Sequence, residues 1–182
     1  CGVAALQLSL KLSSLTALFT PVDPEGTIAR VRPPLESIAE AARRAGIGLT
    51  IDMEQYAFRD LTWEVFRRTF ARDERFGDWP DVGIVLQAYL RDAVPHAEAI
   101  AAFARERGTP FQVRLVKGAY WDSEIKWAQE RGLADYPVFT RKRNTDVSYL
   151  ACMRLMLTYP QQFAGQFATH NAQTIAAAMV AA

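Results

Sequence analysis

Cysteine is scarce in this chain: Cys1 and Cys152 are the two in 182 residues. They are too few for a disulfide framework, and their spacing fits no zinc motif, so a reducing compartment is the expectation. Charge of one sign is also lacking. A formal net charge of +1 gives no reason to expect nucleic acid or an anionic membrane surface as a partner. No run approaches the ~20 apolar residues that span a bilayer, and no signal-peptide pattern opens the chain. Low-complexity tracts, long linkers and short-period repeats are missing too. What is present, 50% hydrophobic and 23% charged residues, suits one packed domain of ordinary composition.

Short apolar runs alternate with longer helical patterns. The runs are Ala5–Leu12, Ile47–Glu54, Val82–Tyr89, Phe111–Gly118 and Phe167–Asn171. Helical periodicity covers Leu35–Ala45, Leu61–Ala71, Pro95–Arg107, Ser123–Glu130 and Asp146–Leu157. Proline or glycine marks most joints: Pro33-Pro34 before the first helix, Gly46 after it, Gly108 and Pro110 before the fourth strand. Repeated β-then-α units predict parallel strands joined by crossover helices. The chain starts without an initiator methionine and stops at Ala182 inside an uncapped helical stretch, Thr174–Ala182, so it reads as a piece of a longer chain.

Parity within the strands narrows the architecture. Leu6, Leu8, Leu10 and Leu12 share one face of the first strand, and Gln7, Ser9 and Lys11 the other. In the second, Ile47, Leu49, Ile51 and Met53 oppose Gly48, Thr50, Asp52 and Glu54. In the third, Val82, Ile84 and Leu86 oppose Gly83, Val85, Gln87 and Tyr89; in the fourth, Phe111, Val113 and Leu115 oppose Gln112, Arg114 and Val116. An open doubly wound sheet buries both faces and favours continuous apolar strands. One apolar and one polar or small face suits a closed barrel, with the apolar side under outer helices and the other side in the lumen. The inner faces end in Lys11, Asp52, Gln87, Arg114 and His170, at the end of the strands where (β/α)8 barrels carry their active sites. The expected fold is therefore α/β, a (β/α)8 barrel of the TIM type cut to about its first five units. Such a barrel needs eight strands in ~250 residues, so residues 1–182 are expected to form a single incomplete domain.

The segment Arg114-Leu115-Val116-Lys117-Gly118-Ala119-Tyr120-Trp121-Asp122-Ser123-Glu124-Ile125-Lys126 closely resembles a signature of the proline dehydrogenase domain of the bifunctional proline utilisation A family. Supporting segments follow in the family's order: Ser9–Ser13, Ile51–Glu54, Gln87–Tyr89, Tyr136–Lys142 and Phe167–Asn171. The resemblance implies a flavoenzyme that oxidises L-proline to Δ1-pyrroline-5-carboxylate with FAD. It also implies hydride transfer from proline C5 to flavin N5, and a membrane quinone as electron acceptor. A cytoplasmic location is implied with it, any membrane contact being made through the longer protein.

The resemblance also implies roles. Arg114 lies near flavin N5, where a positive donor stabilises developing charge; the plain alternative is a structural ion pair with Asp52, a costly arrangement in a lumen. Lys11 anchors the substrate carboxylate, and Asp52 orients Lys11 and keeps it protonated. Gln87 bonds the pyrimidine edge of the flavin, where an amide both donates and accepts. Lys117, on the outward parity, contacts FAD, and Gly118 lets the backbone approach the cofactor. Tyr120 lies toward the substrate and Trp121 against the flavin pocket. Thr140, Thr169, His170 and Asn171 match cofactor-contacting positions. His96 is expected at the surface, and Asp122-Ser123-Glu124 as a helix-capping region. The family's carboxylate-binding arginine pair has no counterpart here, so the chain alone is expected to be inactive. Rival readings are a flavin barrel of the methylenetetrahydrofolate reductase type, a Schiff-base barrel using Lys117, and a non-catalytic fragment.

Overall fold

The computed structural model of the chain describes residues 6–182; Cys1 and the expected start of the first strand at Ala5 lie outside them. The elements follow in the order β1 (Gln7–Leu10), a 3-10 turn (Leu12–Leu15), α1 (Pro24–Arg44), β2 (Gly48–Ile51), α2 (Tyr56–Phe70), β3 (Val82–Gln87), α3 (Ala93–Arg107), β4 (Phe111–Val116), α4 (Trp121–Glu130), α5 (Lys142–Thr158), β5 (Phe163–Phe167) and α6 (Ala172–Ala181). Five strands pair in parallel in the order β1-β2-β3-β4-β5.

The sheet curls. Neighbouring strands stand ~4.8 Å apart, so β1 and β5 in a flat sheet would be separated by roughly 19 Å, beyond the reach of two glutamines. Yet Gln166 of β5 donates through Nε2 to Gln7 Oε1 of β1 at 3.1 Å and to Gln112 Oε1 of β4 at 2.6 Å. Gln7 Nε2 also donates to Gln112 Oε1, and Thr50 Oγ1 of β2 to Gln7 Oε1 at 3.2 Å. The inner parity is thus stitched across the concave side of the arc. Gly83 leaves the room for this: a Cβ there would lie 3.0 Å from Gln112 Cβ and 3.2 Å from Thr50 Oγ1.

The opposite parity makes the core. Leu49, Ile51, Ile84, Leu86, Val113 and Leu115 are buried together with Val31, Leu35, Phe66, Ala97 and Met153 of the surrounding helices. Phe66 touches Phe70, Phe103 and Phe111, and Phe111 meets Phe163 edge-on at 6.0 Å. Under this cluster, Arg107 at the end of α3 is fully buried. It donates to the carbonyls of Phe70, Phe76, Trp79, Thr109 and Pro110 at 2.6–3.2 Å. One guanidinium therefore ties the end of α2 and the α2–β3 loop to the start of β4. Cys152 is buried on α5, which pushes its thiol up to about 11.

Four expectations need correction. The first helix does not wait for Pro33-Pro34. It starts at Pro24, with Asp23 Oδ1 accepting from Gly26 N at 3.0 Å, and runs through the proline pair. A proline inside a helix loses one backbone bond and crowds the preceding turn. Here the buried stripe Ile28, Val31, Leu35, Ala39 and Ala42 continues across it and outweighs that cost. The fifth strand is Phe163–Phe167, paired with Phe111–Leu115, whereas Thr169-His170-Asn171 is the turn into α6. On the apolar parity of the first strand, Leu6 and Leu8 are 68% and 42% exposed, while Leu10 packs against the core and Leu12 is buried. Finally, His96 is half-buried, not fully at the surface. It packs edge-on against Trp63 at 5.6 Å, with Nε2 buried and without a partner among the described residues.

Burial, with the Arg59 guanidinium nearby, pushes the His96 imidazole down to about 4. Its folded value lies below its unfolded one, so the unfolded chain binds more protons and stability falls as pH drops from ~6.5 toward ~4. The expected loss from this group is up to about 3 kcal/mol. His96→Phe keeps the ring contact, and its urea-unfolding profile should be flatter than the wild type's in that window.

Candidate active site at the C-terminal ends of the strands

Beyond the C-terminal ends of the strands lies a cavity of about 570 Å3. Lys11 follows β1 and Asp52 follows β2, while Gln87 ends β3. Arg114 rises from inside β4, and Lys117, Gly118 and Tyr120 come from the β4–α4 turn. Thr169, His170 and Asn171 close it from the β5–α6 turn. Trp121 and Thr140 line an adjoining cavity of about 430 Å3 with Tyr89, Phe139 and Thr145. Lys117, Gly118 and Lys142 line both. Every residue expected to bind substrate or cofactor therefore borders one of two cavities that share Lys117, Gly118 and Lys142.

Arg114 is the hub. Its guanidinium donates to Gln166 Oε1 at 3.1 Å, Ser9 Oγ at 3.1 Å and Asp52 Oδ1 at 3.2 Å. The Arg114–Asp52 pair named as the structural alternative is present, and it leaves other guanidinium donors free. Burial raises the Asp52 carboxyl above its ordinary range, against the pull of Arg114 and then Lys11. Lys11 keeps different company: the Tyr120 hydroxyl is the main group holding its ammonium above the usual range, with Glu54 and Asp52 contributing less. Glu54 accepts from Ser13 Oγ at 2.7 Å, which fixes the turn that follows Lys11.

Gln87 donates through Nε2 to Glu54 O at 3.0 Å, and its Oε1 is buried without a partner among the described residues. A buried amide acceptor left unpaired costs free energy of about 1–3 kcal/mol. Gln87 is thus preset to receive a donor from a ligand in the cavity.

The β4–α4 turn is held from outside. Gly118 sits at φ 130°, and a Cβ there would lie 2.4 Å from the Tyr89 ring. Tyr89 N donates to Lys117 O at 2.7 Å, Phe139 N to Tyr89 O at 2.9 Å, and Trp121 Nε1 to Phe139 O at 2.9 Å. Within the protein, the side chain that needs Gly118 to be glycine is Tyr89.

The capping expectation fails in its detail. The residue capping α4 is Tyr120, without a side-chain bond, while Asp122 and Glu124 lie in the first turn, where the helix dipole favours them. Glu124 is buried and accepts from Tyr56 N at 2.6 Å, so it satisfies an orphan amide at the start of α2. Asn171 does cap a helix: its Oδ1 accepts from Thr174 N at 3.0 Å at the start of α6. Lys142, Met53, Val85 and Tyr89 are site residues that pattern reasoning passed over. Lys142, Met53 and Tyr89 carried a signal, since all three lie inside segments aligned with the family.

The family model described as Proline dehydrogenase matches residues 3–182. The chain is 40% identical over 170 residues to the bifunctional protein PutA of Salmonella typhimurium, covering 93% of this chain and 13% of that protein. It superposes with a TM-score of 0.94 on the proline utilization A protein of Bdellovibrio bacteriovorus inactivated by N-propargylglycine. That match is 35% identical and covers 98% of this chain and 18% of the other. A proline utilization A structure with proline bound in remote sites matches with a TM-score of 0.90 at 40% identity, covering 95% and 18%. The chain thus spans less than a fifth of the length of these relatives.

Gly118→Ala should lower stability by about 2–4 kcal/mol, from the strained φ and the clash with Tyr89. Urea unfolding checks this. Adding Tyr89→Ala should make the Gly118→Ala increment smaller if the ring is the obstacle.

Proposed function

Because the chain belongs to the proline dehydrogenase family, we propose that it forms the front of the active site of a protein that oxidises L-proline to Δ1-pyrroline-5-carboxylate. In this reading bound FAD would supply the two-electron chemistry of hydride removal from proline C5, and a membrane quinone would be the electron acceptor. The observation that carries the proposal is the convergence of Lys11, Asp52, Gln87 and Arg114, from four different strands, on one cavity.

The residues fit both ligands. Four cations, Lys11, Arg114, Lys117 and Lys142, face one carboxylate, Asp52, around the main cavity, which favours anionic groups. Lys11 binds the substrate carboxylate, with the Tyr120 hydroxyl beside it. Gln87 Oε1, buried and unpaired, accepts a hydrogen bond from the cofactor's pyrimidine edge. Arg114 is fixed by Gln166, Ser9 and Asp52, so its positive charge is already aimed before reaction, which is how preorganised donors lower a barrier. Asp52 is the counter-charge that keeps Arg114 in place. Trp121, Thr140, Thr169, His170 and Asn171 complete the cofactor walls.

The single curved sheet supports reading residues 1–182 as one partial domain, the first five units of an eight-unit barrel. The substrate-binding arginine pair of the family then belongs to the rest of that barrel, and the isolated chain turns over no proline.

The test is an anaerobic titration of the protein that carries this chain. L-Proline should bleach its visible flavin band, and Arg114→Met should slow that bleaching by roughly 100-fold, the scale of one lost preorganised donor. A flavin band that bleaches with NADH but ignores proline would contradict the reading.

A further inference from the structure

Lys117 poses a question the proposed function leaves open. It follows β4 on the outward parity, yet it borders both cavities. A lysine stem has four rotatable carbons and no preferred place for its ammonium, and fixing it costs rotamer entropy unless a partner holds it. That partner is Asp146, in the second turn of α5. Asp146 Oδ1 pairs with Lys117 Nζ, and Oδ2 accepts from Lys142 Nζ at 3.0 Å. The Lys117 ammonium is also the first cause holding the Asp146 carboxyl below the usual range.

The two pairs are unequal. Lys142 is 74% exposed and lies one helical turn from Asp146, an arrangement worth little in water. Lys117 is 27% exposed and reaches Asp146 across elements, so that contact fixes a strand end against a helix. Two ammoniums around one carboxylate leave a net positive charge at the edge shared by the two cavities. An anionic or carbonyl-bearing group of a bound cofactor would be favoured there.

We propose that Asp146 is a positioning residue: it holds the Lys117 ammonium at the boundary of the two cavities, and cofactor affinity depends on that hold. The inference rests on the flavin reading above. Asp146 borders neither of the two cavities and acts through Lys117.

The test compares Asp146→Asn, Asp146→Glu and Lys142→Ala in the protein that carries this chain. One arm measures FAD affinity by fluorescence. The other strips the flavin and follows acetylation of individual lysines by mass spectrometry, with exposed Lys126 as internal control. Asp146→Asn should weaken FAD binding about tenfold, the scale of one charge-assisted hydrogen bond, and should label Lys117 several-fold faster at an unchanged Lys126 rate. Asp146→Glu should restore both readouts, and Lys142→Ala should leave Lys117 labelling near wild type. Unchanged Lys117 labelling in Asp146→Asn would overturn the proposal, as would faster labelling with unchanged FAD affinity. If the wild-type protein binds no FAD, the functional reading fails by itself. The labelling arm then still decides whether Asp146 holds Lys117.

Discussion

The guanidinium of Arg114 touches β1 through Ser9, the end of β2 through Asp52 and β5 through Gln166, all from its own place on β4. Gln7 of β1 reaches as many, bonding to Thr50 of β2, Gln112 of β4 and Gln166 of β5. Beneath it, Gln7, Gln112 and Gln166 form a second ring of side-chain bonds. These two layers fill the concave side of the sheet. Polar groups removed from water must find partners or cost free energy, and here strands that are not neighbours supply them. The curvature of the sheet and the cross-strand bonding of its inner glutamines are one constraint. The same constraint brings Lys11, Asp52, Gln87 and Arg114 to a common cavity.

Outside the sheet the forces are of another kind. Aliphatic and aromatic side chains pack between strands and helices without direction, and Arg107 replaces the missing backbone partners of the loops below. The division is spatially clean: apolar packing and Arg107 hold the scaffold, and the charged groups gather where the strands end. The turns that carry function are pinned by backbone contacts from a neighbouring turn, as Tyr89 does for Lys117 and Phe139.

Much of this was legible in the residues because a strand's parity is a local property. The alternation in Phe111–Val116 separates core face from lumen face without any knowledge of partners. The signature from Arg114 onward supplies residues that line the two cavities. What stayed hidden depends on contacts distant in sequence. Pro33-Pro34 looks like a break until the stripe from Ile28 to Ala42 is seen to be buried on both sides of it. β5 contains Gly165 and Gln166 and has little strand character alone; pairing with β4 makes it a strand. His96 and Arg107 look like solvated helix residues, and only the packing of Trp63 over one and the five carbonyls around the other reveal their burial. Glu124 sits where a cap is expected and serves a different helix instead.

The most direct test of the central claim is whether β1 and β5 meet across the inside of the sheet. Nuclear Overhauser spectra on protein labelled at glutamine side chains report this through the Gln166 amide protons. Curvature stabilised by the inner polar layers predicts cross-peaks from the Gln166 amide to the side-chain protons of both Gln7 and Gln112. Cross-peaks to Gln112 alone, with none to Gln7, would mean a sheet too flat to gather these residues into one site.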